Sequence, residues 1–254
     1  DRFVVSGRGE LHLSVLIEQM RREGFEMGVS RPEVIRRVID GVEQEPYESL
    51  LIDCEETHQG PIMEEMGKRR GELRDMVPDG KGRVRLEYMI PSRGIIGFRN
   101  QFLTMTSGTG VLNSIFDHYG PVKAGEVAAR QNGVLVSMVA GKVLAYALFA
   151  LQERGRLFIG PNIEVYEGQL IGIHSRDNDL AVNPTKGKQL TNVRAAGSDE
   201  NILLTPPIRM SLEQALDFID EDELVEVTPQ SIRLRKKLLK EVERRRAGRR
   251  EASD

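Results

Sequence analysis

The sequence predicts an α+β protein of more than one domain, and three observations carry this prediction. The chain has 254 residues, more than the about 100 to 200 residues of one typical domain. Residues 44–121 alternate between strand and helix patterns. From residue 122 onward, short apolar runs are separated by Gly, Pro and Asn. The first pattern is typical of a mixed α+β domain, and the second of a β-rich, barrel-like domain with one or two helices.

The composition excludes several classes of protein. Hydrophobic residues make up 39% of the chain, and no apolar run approaches the ~20 residues of a membrane helix, so we expect a soluble protein without membrane contact. The single cysteine, Cys54, cannot form an internal disulfide, which favours a reducing cytoplasm. The net charge of -3 gives no global attraction to nucleic acid. Any binding to a polyanion must therefore come from local basic patches.

Residues 1–43 predict an incomplete domain. The pattern indicates a short strand at 3–5, an amphipathic helix at 10–22 and extended segments at 25–29 and 34–39. The helix is predicted from apolar residues at i, i+3, i+4 and i+7, namely Leu13, Leu16, Ile17 and Met20. This piece is too short to bury a core, and the chain starts without an initiator Met. We therefore expect the second half of a small domain, cut from a longer protein.

Residues 44–121 contain six predicted elements in the order β-α-β-β-α-β. The pattern places them at 50–52, 61–70, 73–77, 84–90, 91–105 and 111–118. Asp79 and Gly80, between the third and fourth elements, are a strong signal for a tight hairpin. In the second helix, Ile95, Phe98 and Phe102 are expected to face inward. This order is that of the split βαβ, or ferredoxin-like, fold.

Residues 122–254 predict the β-rich domain. Apolar runs suited to short strands of an antiparallel sheet or barrel lie at 134–136, 157–159, 163–166 and 170–173. Ser211 and Gln214 match a capping box, which starts one helix. The tail from Arg244 lacks an apolar face, so we expect it to fray.

No catalytic signature is present. The sequence lacks the phosphate-loop, dinucleotide, zinc-protease and nucleophile-elbow motifs, and four scattered histidines with one cysteine give no metal-ligand spacing. Glu55 and Glu56 near His58 resemble an acid/base cluster, but adjacent carboxylates at a strand end point to opposite sides. We expect no enzyme, metal or cofactor in this chain, and a hydrolase using Glu56 and His58 is disfavoured.

A basic loop is the first candidate binding site. Residues 181–194 hold three cations and no acid, and a Pro and a Gly interrupt any regular element. Long loops in compact domains are commonly functional, and their amides suit phosphate, sugar and base edges. The alternative is a solvated flexible loop. The candidate residues are Asn183, Lys186, Lys188, Gln189, Asn192 and Arg194.

Two further basic clusters extend the candidate footprint. Arg233 and Arg235 alternate with apolar residues, so a strand places both guanidinium groups on one face, where their planar forks suit phosphate. Lys236 and Lys237 continue this charge. Arginines recur over 244–250, for which a solubilising terminal helix is the alternative. The other cluster flanks the predicted hairpin and consists of Arg74, Lys81 and Arg83.

An acidic segment offers a different interpretation. Residues 211–226 contain seven acids and no cation. In this alternative the chain is a protein-interaction module, in which the acidic helix docks a basic protein and the basic loop is passive. Aromatic residues make up only 5% of the chain, and no basic strand shows paired aromatics. We therefore expect RNA to be recognised by shape and backbone rather than by base stacking.

Several motifs resemble elongation factor G-type translational GTPases. The segments Ser6 to Leu13 and Arg31 to Val34 are similar to the end of their domain III. Four further segments resemble their ferredoxin-like domain V, at 45–48, 60–63, 107–110 and 116–119. Together these motifs cover both the first and the middle part of the chain.

Two departures from that pattern indicate a subfamily. The middle domain follows the first without the domain IV that reaches the decoding centre, and Ser92 to Arg99 replaces the usual helix sequence. With Asn183 to Lys188 in the final domain, these features resemble a subfamily that has its own C-terminal domain. The resemblance implies that residues 1–43 are the second half of domain III, residues 44–121 domain V and residues 122–254 the subfamily-specific domain.

The resemblance also implies a function in translation. Such proteins are ribosome-dependent GTPases that bind the 70S ribosome at the factor site and act in 50S assembly, cold growth, and stress or virulence regulation. Their C-terminal domain faces the A-site tRNA acceptor end and 23S rRNA, which implies that the loop at 183–194 reaches RNA. Arg209 and Lys81 are carried over as ribosome contacts. GTP and Mg belong to an N-terminal GTPase domain before Asp1, and we expect a cytoplasmic, ribosome-associated monomer.

Overall fold

The structure is a computed structural model, and it describes residues 2–125, 130, 132–187 and 203–251. The chain divides into two units, one of residues 1–31 with 131–254 and one of residues 32–130. This division differs from the three predicted domains. Residues 1–31 belong to a segment predicted to be too short to bury a core alone, and they pack with the C-terminal part of the chain.

The first elements are α1 (Glu10–Arg22) and β1 (Met27–Ser30). The helix has the predicted bounds, but Ile17 is the one member of its apolar stripe that is fully buried, and Leu16 is 39% exposed. Residues 3–5 are exposed and form no strand. That predicted strand is wrong because no described strand pairs with these residues, and their backbone groups are left to water.

Residues 32–130 form a five-stranded antiparallel sheet with helices. The strands are β2 (Arg37–Ile39), β3 (Val42–Glu55), β4 (Glu72–Pro78), β5 (Arg83–Pro91) and β6 (Val111–Pro121), and the helices are α2 (Gln59–Lys68), α3 (Ser92–Ile95) and α4 (Phe98–Met105). The strand order is β2-β3-β5-β4, and β6 pairs with β3. The chain order β3-α2-β4-β5-α4-β6 confirms the ferredoxin-like prediction.

The core of this unit joins the sheet to its helices. Leu50 and Ile52 of β3, Leu86 of β5, Ile62 of α2 and Phe102 of α4 belong to one buried cluster. Buried positions alternate along β3 and β5, because successive side chains of a strand point to opposite faces. The positions between them are partly or fully exposed, so the hydrophobic pattern fixes which face of the sheet holds the helices.

A glycine break divides the helix that the sequence predicts over 91–105. Gly97 has a φ of 74°, a conformation that suits glycine, and it separates α3 from α4. A Cβ at Gly94 would lie 2.6 Å from the Arg69 carbonyl oxygen. The Arg69 guanidinium donates to the carbonyls of Gly94 at 3.0 Å and Ile96 at 3.1 Å. One arginine therefore satisfies backbone groups that the break removes from the helix.

The C-terminal part of the chain is β-rich, as predicted. It contains β7 (Val134–Ser137), β8 (Gly141–Lys142), α5 (Ala145–Leu151), β9 (Gly155–Leu157), β10 (Glu164–Val165), β11 (Leu170–His174) and β12 (Leu180–Val182). Four strands form a sheet in the order β12-β7-β11-β9, and β10 pairs with β8. Because β12 pairs with β7 in parallel, this sheet is mixed rather than antiparallel.

The last elements are α6 (Leu212–Phe218), β13 (Glu223–Val227), β14 (Ile232–Lys236) and α7 (Glu241–Glu251). Ser211 and Gln214 form the predicted capping box, and β1 joins β13 and β14 in a three-stranded sheet. The prediction of a frayed tail is wrong. The Glu167 carboxylate accepts a hydrogen bond from the Glu241 N–H at 3.0 Å, which caps the start of α7. None of the described helices combines the length and apolar character needed to cross a membrane.

We predict that Arg69→Met destabilises the chain by about 3–5 kcal/mol, the usual cost of removing one partner of a buried ion pair. Arg69 Nε lies 2.9 Å from Glu65 Oε1, and the substitution leaves this carboxylate buried without its counter-charge. Urea denaturation measures the loss of stability. Lys68→Met is the matched control, because it breaks an exposed pair with Glu64 on the same helix and should leave the midpoint in place. Equal midpoints for the two variants would contradict the prediction.

Candidate RNA-binding surfaces

The base of the predicted basic loop has a defined geometry. After β12, Asn183 Oδ1 accepts hydrogen bonds from the Thr185 backbone N–H at 2.9 Å and from Thr185 Oγ1 at 2.8 Å. The carbonyl of Pro184, which is buried, accepts from the Leu144 N–H at 3.1 Å. Lys186 follows this turn and is exposed. A cation is therefore presented to solvent from a fixed base, as in other Asx turns.

The other loop candidates are placed only in part. Asn183 uses its Oδ1 inside the turn, which leaves its Nδ2 donors for a ligand. Arg209 is exposed on the segment before α6. The remaining predicted loop residues lie outside the described residues, and they are Lys188, Gln189, Asn192 and Arg194.

Arg233 and Arg235 lie on one face of β14, as the alternation predicts. Their guanidinium groups are 3.8 Å and 3.7 Å from the Glu226 carboxylate on β13, and the Tyr166 hydroxyl donates to the same carboxylate at 2.8 Å. Burial raises the pKa of Tyr166, as do the hydrogen bond to Glu226 and the charge of Glu226, so the phenol remains a donor. Glu226 offsets part of the cationic charge. Arg233 is the more exposed of the two arginines.

Lys236 is not part of an exposed cationic face, and its predicted place in the RNA-binding set is wrong. Its side chain is 4% exposed, and its Nζ lies 2.6 Å from Asp179, 2.8 Å from Asp222 and 2.9 Å from Glu223. Burial lowers the pKa of Lys236, but the charge of Glu223 and hydrogen bonds to the two aspartates outweigh it and raise the pKa. A buried ammonium surrounded by carboxylates cannot reach a phosphate. Lys237, the next residue, is exposed.

The basic cluster at the hairpin between β4 and β5 consists of Arg74, Lys81 and Arg83, and these side chains differ in exposure and in their ion pairs. Asp79 Oδ1 accepts from the backbone N–H of Lys81 at 2.7 Å and of Arg83 at 2.9 Å, which fixes the turn between β4 and β5. Arg74 and Lys81 are exposed, and the Arg74 guanidinium lies 3.5 Å from the Glu72 carboxylate. Arg83 Nε donates to Asp53 Oδ1 at 2.7 Å, so a carboxylate on β3 already neutralises this guanidinium.

Helix α5 carries two exposed aromatic side chains that are not among the predicted site residues. Tyr146 is 44% exposed and Phe149 43% exposed, and their i, i+3 spacing places them on one face. The buried residues of α5 lie on the opposite face, at Ala147, Leu148 and Leu151. The i, i+3 spacing of the two aromatic residues is therefore the sequence signal that could have predicted this exposed face. The helix begins directly after Leu144, whose N–H contacts the loop base.

The chemistry of the described residues gives no metal centre. Among residues 2–125, 130, 132–187 and 203–251, no group of three or more His, Cys, Asp and Glu side chains could hold a metal ion. Glu56 and His58, the pair considered for hydrolysis, bound a 3-10 turn after β3. The His58 Nε2 lies 4.0 Å from Glu55.

We predict that Lys236→Met lowers stability by about 3–5 kcal/mol, because three carboxylates lose their shared counter-charge. The raised pKa keeps the ammonium charged, so this contribution is complete at neutral pH and is lost only as the pH rises beyond the ordinary lysine range. Urea denaturation at neutral pH measures the change, with Lys237→Met as the exposed control. A Lys236→Met protein of unchanged stability and reduced RNA affinity would instead place Lys236 among the RNA contacts.

Comparison with protein families first defines the class. Residues 42–130 match the family described as "Elongation factor G C-terminus", and this range contains β3 to β6 with α2, α3 and α4. The ferredoxin-like unit is thus similar to the C-terminal module of elongation factor G.

A second family match identifies a subfamily. Residues 132–241 match the TypA/BipA C-terminal domain. Three relatives are each named large ribosomal subunit assembly factor BipA. The Haemophilus influenzae protein is 68% identical over 249 residues, which cover 98% of this chain and 40% of that protein. The Escherichia coli K12 protein is 67% identical over 249 residues, covering 98% and 41%. The Buchnera aphidicola protein is 57% identical over 251 residues, covering 99% and 41%.

The chain belongs to the TypA/BipA family. It spans about two-fifths of the length of the curated relatives that it matches.

Proposed function

We propose that this chain binds RNA of the large ribosomal subunit, with the loop after β12 as its main contact. The observation that carries the proposal is the exposed Lys186, held out by the turn at Asn183 and Thr185. The relatives' name as large ribosomal subunit assembly factors supports a ribosomal partner. A fixed cation at a loop base suits phosphate, because the position of the charge is set before the ligand arrives.

Exposed cations elsewhere on each unit support further phosphate contacts. Lys237 follows β14, Arg209 precedes α6, and Lys81 and Arg74 flank the hairpin. Arg233 adds a guanidinium group whose ion pair with Glu226 is long, at 3.8 Å, so its charge is only partly neutralised. Each phosphate contact by such a group releases counterions, so the binding is driven by charge and weakens as salt rises.

The resemblance to the family supports a more specific proposal about the RNA partners and the process. The RNA partners are 23S rRNA and the acceptor end of the A-site tRNA on the 70S ribosome, and the parent protein acts in 50S assembly, cold growth, and stress or virulence regulation. GTP and Mg belong to a GTPase domain of the parent protein outside this chain. The protein acts in the cytoplasm as a monomer.

The acidic segment supports RNA binding over protein docking. A protein-interaction module needs carboxylates that are available to a basic partner, yet the acids of residues 211–226 are largely engaged within the fold. Asp222 and Glu223 bind Lys236, and Glu226 accepts from Tyr166. Glu213 accepts from both Ser14 and Ser211. These four carboxylates hold elements together, so much of the acidic charge of this segment is committed to the fold.

We predict that Lys186→Gln combined with Lys188→Gln weakens cosedimentation with 50S subunits. The plot of log affinity against log salt should become less steep by about 0.9 for each phosphate that the two lysines neutralise in the wild-type complex. Sedimentation at several KCl concentrations measures both the affinity and the slope.

The matched control is Lys68→Gln combined with Arg36→Gln, which removes the same charge from exposed cations of the ferredoxin-like unit. Its affinity and slope should stay at the wild-type values. If both double variants weaken binding equally, the effect comes from net charge and the assignment to the loop fails.

A further inference from the structure

Helix α7 presents four arginines on one face. They occupy positions i, i+1, i+4 and i+5, and all are exposed: Arg245, Arg246, Arg249 and Arg250. With 3.6 residues per turn, these positions share one side of a helix. Arg244 and Ala247 lie on the other side and are partly buried. The arginine face is therefore turned to solvent.

Contacts at its first turn hold α7 in place. The Glu167 carboxylate accepts from the Glu241 N–H at 3.0 Å, where the positive end of the helix dipole favours a negative charge. Arg244 donates to the Leu238 carbonyl at 2.8 Å. These contacts tie the first turn of α7 to the C-terminal part of the chain.

The chemistry of this face favours phosphate over a lipid surface. A helix that lies in a membrane interface buries a broad apolar face, whereas the exposed apolar side chain of α7 is Val242. Guanidinium groups bind phosphate oxygens through paired donors. Glu241 is engaged with Arg245 at 2.6 Å, and Glu243 borders the face. Four guanidinium groups beside two carboxylates leave an excess of positive charge on this side, which complements a polyanion.

We infer that α7 binds the phosphate backbone of structured RNA through Arg245, Arg246, Arg249 and Arg250, without reading the base sequence. No aromatic residue is present in α7, so base stacking is not part of this contact. The inference rests on the proposed function for the nature of the polyanion. It adds a contact beyond the matched family domain, which ends at residue 241.

The test uses the full chain and two quadruple Arg→Gln variants of equal charge. One changes the four arginines of the α7 face. The control changes exposed arginines spread over both units, namely Arg22, Arg36, Arg99 and Arg154. Affinity for a short RNA duplex of arbitrary sequence is measured over a KCl series. The slope of log affinity against log salt should fall in the α7 variant by about 0.9 for each phosphate that these arginines contact, and the control should keep the wild-type slope.

Gln retains good helix propensity, so circular dichroism should show the same helix content in both variants. Equal slopes for the two variants, or a wild-type slope for the α7 variant, would overturn the inference. So would binding of the wild type to phosphatidylserine vesicles with no binding to the duplex. The Lys186 and Lys188 variant is measured beside them. If the Lys186 and Lys188 variant alone loses 50S binding, the inference about α7 fails and the proposed function stands. A loss confined to the α7 variant contradicts the loop as the main RNA contact and supports the contact through α7.

Discussion

The C-terminal unit depends on one buried ammonium group. Lys236 Nζ joins the carboxylate of Asp179, which precedes β12, to Asp222 and Glu223 at the start of β13. These contacts tie the four-stranded sheet to the three-stranded sheet, and the contact with the buried Glu223 is screened least by water. They also fix the orientation of β14, because side chains alternate along a strand. With Lys236 directed inward, the preceding Arg235 and Arg233 occupy the opposite side of the strand, where both are only partly exposed beside Glu226.

The local patterns of the sequence predict elements whose determinants are short-range. The hairpin at Asp79, the capping box at Ser211 and the ferredoxin-like order are all predictable, because turn residues and apolar spacing act over a few positions. The prediction for Lys236 is wrong although a signal exists. By the alternation that places Arg233 and Arg235 together, residue 236 belongs with the apolar Leu234. A cation on an apolar face indicates burial with counter-charges, but the identity of distant partners such as Asp179 cannot be read from one sequence.

Tertiary contacts decide the other differences. The break at Gly97 depends on Arg69, which lies 28 positions earlier in the chain and supplies donors to the freed carbonyls. The tail after residue 240 forms a helix because Glu167 caps it. Net charge is also a poor guide to the surface. Many acidic side chains form ion pairs or hydrogen bonds within the fold, whereas cations such as Lys186 and Lys237 stay exposed. A chain of net charge -3 therefore still presents basic surfaces.

The pairing of β1 with β13 has a consequence for synthesis and for truncation. Met27 lies opposite Val227, so the ribosome must make about 200 further residues before this early strand meets its neighbour, a long-range closure that folds slowly. Residues 32–130 can reach their own structure during that interval. A fragment cut at residue 132, where the matched family domain begins, would lack β1. It would expose the backbone edge of β13 as a template for strand addition between molecules, and hence for aggregation.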